Sequence, residues 1–402
     1  MKQHSAHTPS KRVAILGIRG IPAEHGGFET FAEKLAVYLA SDGWQVTVAC
    51  QSDPPGIDFW KGVRRVKFGV GMSNPLGTVL FDARSIVRAV FWRAPVLVLG
   101  YNTAIFWLLL RIAGVKVVAN IDGLEWARAK WPRPVRWWLR SNEWLAYRLA
   151  DHLVADHPEI AARSKRLAAP NRVTMIPYGA DRIDQTNSAI LDRFNLRSKG
   201  YSLVIARPEP ENSILEIVTA YSRSRRQAPL VLLGRFDFGN SYHRLVRAAA
   251  GPEVFFLGAI YDPQVVAALR LNARLYIHGH TVGGTNPSFV EALAAGCAAL
   301  AHDNPFNRWV GGQGVRYFGD TDGCAQALDD ILDSEAQLRA MSESARRRAD
   351  EEFRWEPILV SYARLMTRFQ AAPLGAPQAT VTEETYSYGD YTKVVREKSG
   401  EA

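Results

Sequence analysis

Short runs of β-branched and other apolar residues alternate with segments of helical periodicity along nearly the whole 402-residue chain. In the first half the runs fall at 13–18, 44–51, 63–68, 96–100, 115–121, 152–155 and 173–177, with a helix over 28–41 after the first. A second series restarts at 202–206 and continues at 230–234, 254–257, 275–278, 298–302 and 315–318. Runs that are apolar throughout, instead of alternating, belong to parallel strands buried on both faces by helices. The pattern therefore predicts an α/β protein with two Rossmann-like parallel-sheet domains. The first spans residues 12–185 and the second 186–353, after a polar extension at 1–11. A helix over 354–370 is expected to cross back to the first domain, followed by a mobile polar tail at 371–402. Open α/β sheets bind ligands beyond the carboxyl ends of their strands, so the expected site is a cleft faced by both domains.

Residues 94–110 are nearly all apolar but fall short of the roughly 20 needed to span a bilayer. Arg93 and Arg111 bracket them, and Gly100-Tyr101-Asn102 interrupts them. The reading is strand, turn and helix, not a membrane span. Composition adds that 47% of residues are apolar and 22% charged, as in a globular chain. Cys50, Cys297 and Cys324 are too scattered for a disulfide framework or a zinc cluster. The segment before the first strand is polar, so a signal peptide is not expected and a reducing, cytoplasmic setting is. Charge is uneven. Residues 1–180 hold 24 Lys and Arg against 13 Asp and Glu, whereas the remainder holds 25 against 27. The first half is thus expected to face something anionic.

Several motifs sit where strands become helices. Gly17-Ile18-Arg19-Gly20-Ile21-Pro22 and then Gly26-Gly27-Phe28-Glu29 follow the first strand, and such glycines let backbone N–H groups approach a phosphate. The spacing is not that of a dinucleotide fingerprint, and no acidic residue ends the second strand. In the second half, Val282-Gly283-Gly284-Thr285-Asn286-Pro287-Ser288-Phe289-Val290-Glu291 leads from a strand into a helix. Amides at that helix start suit a diphosphate, and Glu291 one turn in can accept hydrogen bonds from two ribose hydroxyls. Asp122-Gly123-Leu124-Glu125 ends a strand of the first half, where Asp122 or Glu125 could take a proton from an acceptor hydroxyl. His278 and His280 precede the glycine loop without further ligands at zinc spacing, which leaves them as core and loop histidines, with His280 a candidate donor to a sugar or diphosphate. Asp320-Thr321-Asp322 reads as a turn and helix cap, not a metal motif.

The N-terminal Gly26-Gly27, Arg207 within Ala206-Arg207-Pro208-Glu209-Pro210-Glu211-Asn212, and the glycine loop leading to Glu291 together resemble family-4 glycosyltransferases. The resemblance covers about residues 12–370. It implies the GT-B fold and metal-independent, retaining transfer from a nucleotide sugar. Arg19-Gly20-Ile21-Pro22, Asp122-Gly123-Leu124-Glu125-Trp126 and Gly283-Gly284-Thr285-Asn286-Pro287-Ser288 look most like the bacterial rhamnosyltransferase branch, which acts on polyprenyl-diphosphate-linked sugars in cell-wall or capsular polysaccharide synthesis. By position, the resemblance implies that Glu291 binds the nucleotide ribose, Arg207 pairs with the donor diphosphate, and the amides of Gly284, Thr285 and Asn286 cradle sugar and phosphate. Two positions depart from the wider family. Gly283 stands where a second carboxylate is usual, which suits a deoxysugar with fewer hydroxyls, and Asn212 replaces the phosphate-binding lysine. The implied donor is dTDP-β-L-rhamnose, with a UDP- or GDP-hexose as the alternative. A catalytically degenerate nucleotide-sugar-binding scaffold is the alternative of another class.

Residues 126–144 hold five of the eleven tryptophans among arginines. On a helix from about Pro134, Val135, Trp138, Leu139, Leu145, Ala146 and Leu149 share one face. Trp137 and Trp144 fall opposite, beside Arg133, Arg136, Arg140 and Arg148. Tryptophan with arginine suits a helix lying in a headgroup layer, so an anionic membrane surface at the inner face of the plasma membrane is the expected partner. No RNA-binding consensus appears, and nucleic acid is not expected.

Overall fold

The computed structural model describes residues 11–370 except 25, 72, 73, 122, 129, 130 and 224–227. Asp122, the tail at 371–402 and all of the extension but Lys11 therefore lie outside the described residues. Strands of the first half are β1 (Arg12–Leu16), β2 (Gln45–Gln51), β3 (Gly56–Trp60), β4 (Val63–Phe68), β5 (Val96–Leu99), β6 (Val117–Ile121), β7 (His152–Ala155) and β8 (Val173–Met175). They form one sheet in the order β3-β4-β2-β1-β5-β6-β7-β8, parallel except where β3 runs against β4. The second half contributes β9 (Ser202–Ile205), β10 (Leu230–Leu233), β11 (Val254–Gly258), β12 (Leu275–His278), β13 (Ala299–His302) and β14 (Arg316–Phe318). Their order is β11-β10-β9-β12-β13-β14, all parallel.

Side chains of the second sheet divide by parity. Leu203, Val231, Leu233 and Tyr276 enter one core cluster with Phe289 and Leu293, whereas Val204, Leu230, Leu232 and Ile277 enter another with Ile217 and Leu328. Both faces are covered, which is why the runs lack polar alternation. The strand absent from the sequence reading is β3. Trp60 pairs with Val63 across Lys61 and Gly62, whose φ values of +48° and +80° make a two-residue turn of the tight hairpin type.

The chain divides into two compact units. The first takes the described residues of Met1–Asp122, Arg133–Ile176 and Glu356–Ala402, and the second those of Gly123–Pro132 and Pro177–Trp355. The division after Ile176 precedes the expected boundary at 185 because the chain beyond it pairs with the far end of the second unit. There the Ala180 amide donates to the Phe353 carbonyl at 2.7 Å. Segment 123–132 also leaves the first domain, drawn by packing described below. In the first unit α1 (Gly27–Ser41) joins β1 to β2, while α2 (Pro75–Ala89), α3 (Trp107–Ile112) and α4 (Arg133–Leu149) lie on the connections into β5, β6 and β7. Those three connections advance in the same direction along the sheet, so right-handed crossovers put α2, α3 and α4 on one face.

Candidate active site

In the second sheet, connections leave β9 and β12 in opposite directions, and an open α/β sheet has its ligand crevice at such a reversal. Two loops occupy it. Residues 206–212 carry the exposed guanidinium of Arg207. Asn212 is buried, and its Nδ2 donates to the Arg207 carbonyl at 2.8 Å, so its observed role is to staple this loop. Residues 279–286 are tied to the first loop through Thr281, whose amide and Oγ1 both donate to the Glu211 carbonyl, at 2.9 and 3.0 Å. Gly279 is required at the crossing, because a Cβ there would lie 2.2 Å from the Asn212 carbonyl oxygen.

The histidines at this edge are uncharged. His278 stacks on His280 at 4.3 Å and on Phe289 at 4.6 Å between ring centroids, and neither of its ring nitrogens has a hydrogen-bond partner among the described residues. Burial holds its pKa well below the ordinary value. His280 is lowered to about 3, first by burial and then by Arg207 and Arg128. The His280 carbonyl accepts from Nδ2 of Asn304 and of Asn307 at 3.0 and 2.8 Å, which fixes the loop. A neutral imidazole held this way can hydrogen-bond to a sugar oxygen but supplies no charge.

The glycine loop ends at Asn286, which caps the helix Pro287–Ala294 by accepting from the Ser288 amide at 3.0 Å. Thr285 is buried beneath it, and Gly283 has a φ of +154°, a conformation that favours glycine. Glu291 is 26% exposed, and its Oε2 lies 2.5 Å from Nη2 of the buried Arg270. The same guanidinium donates to Ser288 Oγ at 3.4 Å, and that oxygen lies 2.7 Å from the Tyr276 hydroxyl. Glu291 is thereby oriented while part of it stays open to solvent.

Segment 123–132 packs on this loop. A Cβ on Gly123 would fall 3.0 Å from the Gly283 carbonyl carbon, so two glycines meet backbone to backbone. Glu125, expected as a proton acceptor, has both oxygens engaged. Oε2 pairs with Arg128 Nε at 2.7 Å and Oε1 accepts from Trp131 Nε1 at 2.9 Å. That geometry makes it a brace for Arg128 instead of an unencumbered base. The result is a second guanidinium acting on His280 beside Arg207.

Two family models match in sequence. Residues 10–181 match "Domain of unknown function (DUF1972)" and residues 192–348 match "Glycosyl transferases group 1". Residues 192–348 thus carry a glycosyltransferase domain, and the chain has the GT-B fold. No curated protein matches it in sequence. Among solved structures it resembles sucrose-phosphate synthase from Thermosynechococcus elongatus, with a TM-score of 0.75 and 18% identity over 89% of this chain and 98% of that one. Anabaena HepE in complex with UDP and glucose gives 0.68 and 16%, over 89% and 99%. The UDP-forming trehalose-phosphate synthase from Burkholderia xenovorans, in complex with glucose-6-phosphate, gives 0.65 and 13%, over 90% and 100%. At such identities the likeness is one of fold.

In the glycosyltransferase's first unit, Gly26 and Gly27 open α1, and the Gly26 carbonyl accepts from the Thr30 amide at 3.1 Å. They belong to a different unit from Arg207, Asn212, His280, Gly283, Gly284, Thr285, Asn286, Ser288 and Glu291. On α4, Trp137 and Trp144 are 77% and 54% exposed, and Arg133, Arg136, Arg140 and Arg148 share the solvent side. Trp138 is not in the core as expected. It is 43% exposed, with Nε1 donating to the Asn102 carbonyl at 3.0 Å. Its place is taken by Glu143 and Tyr147, which are buried against Arg163 and Ser164. Asp320 caps its helix by accepting from the Gly323 amide at 2.8 Å. Arg128 and Arg270 escaped the sequence reading, since each becomes a site residue only through partners the fold brings to it.

Proposed function

We propose that this glycosyltransferase moves L-rhamnose from dTDP-β-L-rhamnose to a polyprenyl-diphosphate-linked saccharide, with retention at the anomeric carbon, in cell-wall or capsular polysaccharide synthesis. The anomeric carbon–phosphate bond breaks, a bond to the acceptor oxygen forms, and the acceptor proton ends on the released diphosphate. Arg207 and Arg128, with the amides of Gly284, Thr285 and Asn286, supply the counter-charge to that diphosphate, so the reaction needs no metal. Glu291, braced by Arg270, accepts from the ribose hydroxyls. The observation that carries the rhamnosyl reading is Gly283, which leaves open the position where the wider family holds a carboxylate for donor hydroxyls. A UDP-hexose donor is the second reading, and it draws on the fold shared with HepE, whose structure contains UDP and glucose.

A lipid-linked acceptor also suits the exposed tryptophans and arginines of α4, which we assign to an anionic membrane surface on the cytoplasmic side. Among the described residues no helix is long and apolar enough to cross a membrane, so docking would be peripheral. The deciding measurement is turnover with a panel of dTDP-, UDP- and GDP-sugars and a short-chain lipid-linked acceptor. Turnover with dTDP-rhamnose, lost in Arg207→Ala and Glu291→Ala proteins that remain folded, is the expected result. Donor binding without turnover for every sugar would instead favour a scaffold.

A further inference from the structure

A cavity of about 500 Å³ lies in the first unit at the amino ends of the sheet strands, the edge opposite the one where open α/β sheets bind substrates. Trp44, Phe59 and Trp92 supply its aromatic walls, and its cations are Arg12, the first residue of β1, and Arg64, the second of β4. Among the described residues no acidic side chain lines it. Neither guanidinium has a hydrogen-bond or ion-pair partner among those residues, and Lys11 stands over the Trp44 ring at 5.2 Å as a third cation. Phe59 is 72% exposed, and the buried Nε1 of Trp92 has no hydrogen-bond partner among the described residues. Uncovered rings beside unpaired cations suit a ligand that is itself aromatic and anionic.

The chain carries such a ligand to the rim. Gln370 exchanges two hydrogen bonds with the Arg12 backbone, at 2.9 and 3.0 Å, so the chain continues from a point beside the cavity wall. Over residues 383–391, Glu383, Glu384 and Asp390 stand among Tyr386, Tyr388 and Tyr391 without a Lys or Arg. Residues 371–382 are the tether, which reaches at most about 40 Å. A tether of that length holds its far end at an effective concentration on the order of millimolar, so a contact too weak to persist between separate molecules is populated within one. The chain also enters at this rim, through Lys11, but residues 1–10 contain no acid and no Phe, Tyr or Trp.

We propose that residues 383–391 dock in this cavity of their own chain, a tyrosine ring entering between the aromatic walls and the acidic side chains pairing with Arg12 and Arg64. Docked there, the segment covers the Arg12–Gln370 junction that follows the helix Trp355–Thr367 and leaves the carboxyl ends of the first sheet's strands open.

The test uses full-length protein carrying Ser387→Cys labelled with bimane, a fluorophore that tryptophan quenches on contact. Cys50, Cys297 and Cys324 are buried, so the new thiol takes the label. The label is expected to be quenched, and raised salt to relieve the quenching. Arg12→Glu with Arg64→Glu should lower the docked fraction by about tenfold, and adding Glu383→Lys with Glu384→Lys to that protein should restore it. Trp92→Leu should brighten the label, whereas Trp144→Ser on α4 should not. An unquenched label in the parent protein, or quenching that survives the arginine reversals, overturns the proposal. Quenching that grows with protein concentration assigns the cavity to the tail of a second copy and overturns it as well. Should Trp92→Leu fail to fold, the charge reversal and its rescue still decide.

Discussion

Two buried polar residues, His278 and Asp82, each cost the fold stability. The ring of His278 is buried, gains no hydrogen bond among the described residues and stays neutral because burial penalises its cation. Leucine has a similar volume and no polar atoms, so His278→Leu should give up the ring stack, leave no unsatisfied nitrogen and raise stability by about 1 kcal/mol. Urea unfolding measures that, and an unchanged donor affinity is expected beside it. A folded variant that no longer binds donor would show that a His278 nitrogen meets the ligand after all. Asp82 is the costlier group. Its folded pKa of about 6 lies above the ordinary 3.8, so the fold prefers the protonated acid. The stability this group contributes is complete below about pH 4 and is lost as the pH rises through about 6. Asp82→Asn should therefore stabilise the protein at neutral pH by on the order of 2–3 kcal/mol, the gap closing below about pH 4. Unfolding midpoints across that range check the sign.

At the scale of elements, α2, α3 and α4 share one face of the first sheet, and their outer sides are unusually apolar. Leu76, Val87 and Phe91 at 67%, 50% and 71% exposure mark α2 and the turn after it. Ile105, Leu108, Leu109 and Ile112 mark α3 and the turn before it, and Trp137 and Trp144 mark α4, with Arg84, Arg88, Arg93 and Arg111 interspersed. If this is the membrane-facing side, Trp137→Ser with Trp144→Ser should weaken partitioning onto vesicles with roughly one-third anionic lipid by about tenfold or more. Raised salt should weaken it further, since each cation contributes about 1 kcal/mol at such a surface. Unchanged cosedimentation of the double variant would remove α4 from the docking face. Fully buried strands were legible in the sequence because their apolar runs have no other use. The half-exposed β3 was not, its only signal being the Lys61-Gly62 turn. The inner face of α4 misled for a related reason: periodicity ranks Trp138 above Glu143, yet Arg163 lies where it can satisfy a buried carboxylate. Arg207 and Glu291 stand inside local motifs and could be read directly. Arg128 and Arg270 owe their roles to long-range neighbours, His280 and Glu291, that no spacing records.

The molecule as a whole is not two consecutive beads on a chain. The helix Trp355–Thr367 leaves the second unit at its first residue and buries Ile358, Tyr362, Leu365 and Met366 with the first. Tyr362 packs against Phe31 with ring centroids 4.6 Å apart and planes tilted by 49°, and Asn120 Nδ2 donates to its hydroxyl at 2.7 Å. Gln370 then exchanges two hydrogen bonds with the backbone of Arg12, at 2.9 and 3.0 Å. Four buried apolar side chains at about 1.5–3 kcal/mol each amount to the entire net stability of a typical domain. A fragment that stops at residue 185, where the sequence pattern alone would cut, should therefore aggregate or unfold without cooperativity. Fusing residues 356–370 to it through a flexible linker should restore a single sharp unfolding transition, because the missing layer then returns at high effective concentration. Calorimetric or urea melts of the two proteins distinguish the cases, and cooperative melting of the shorter fragment alone would refute the composite first unit.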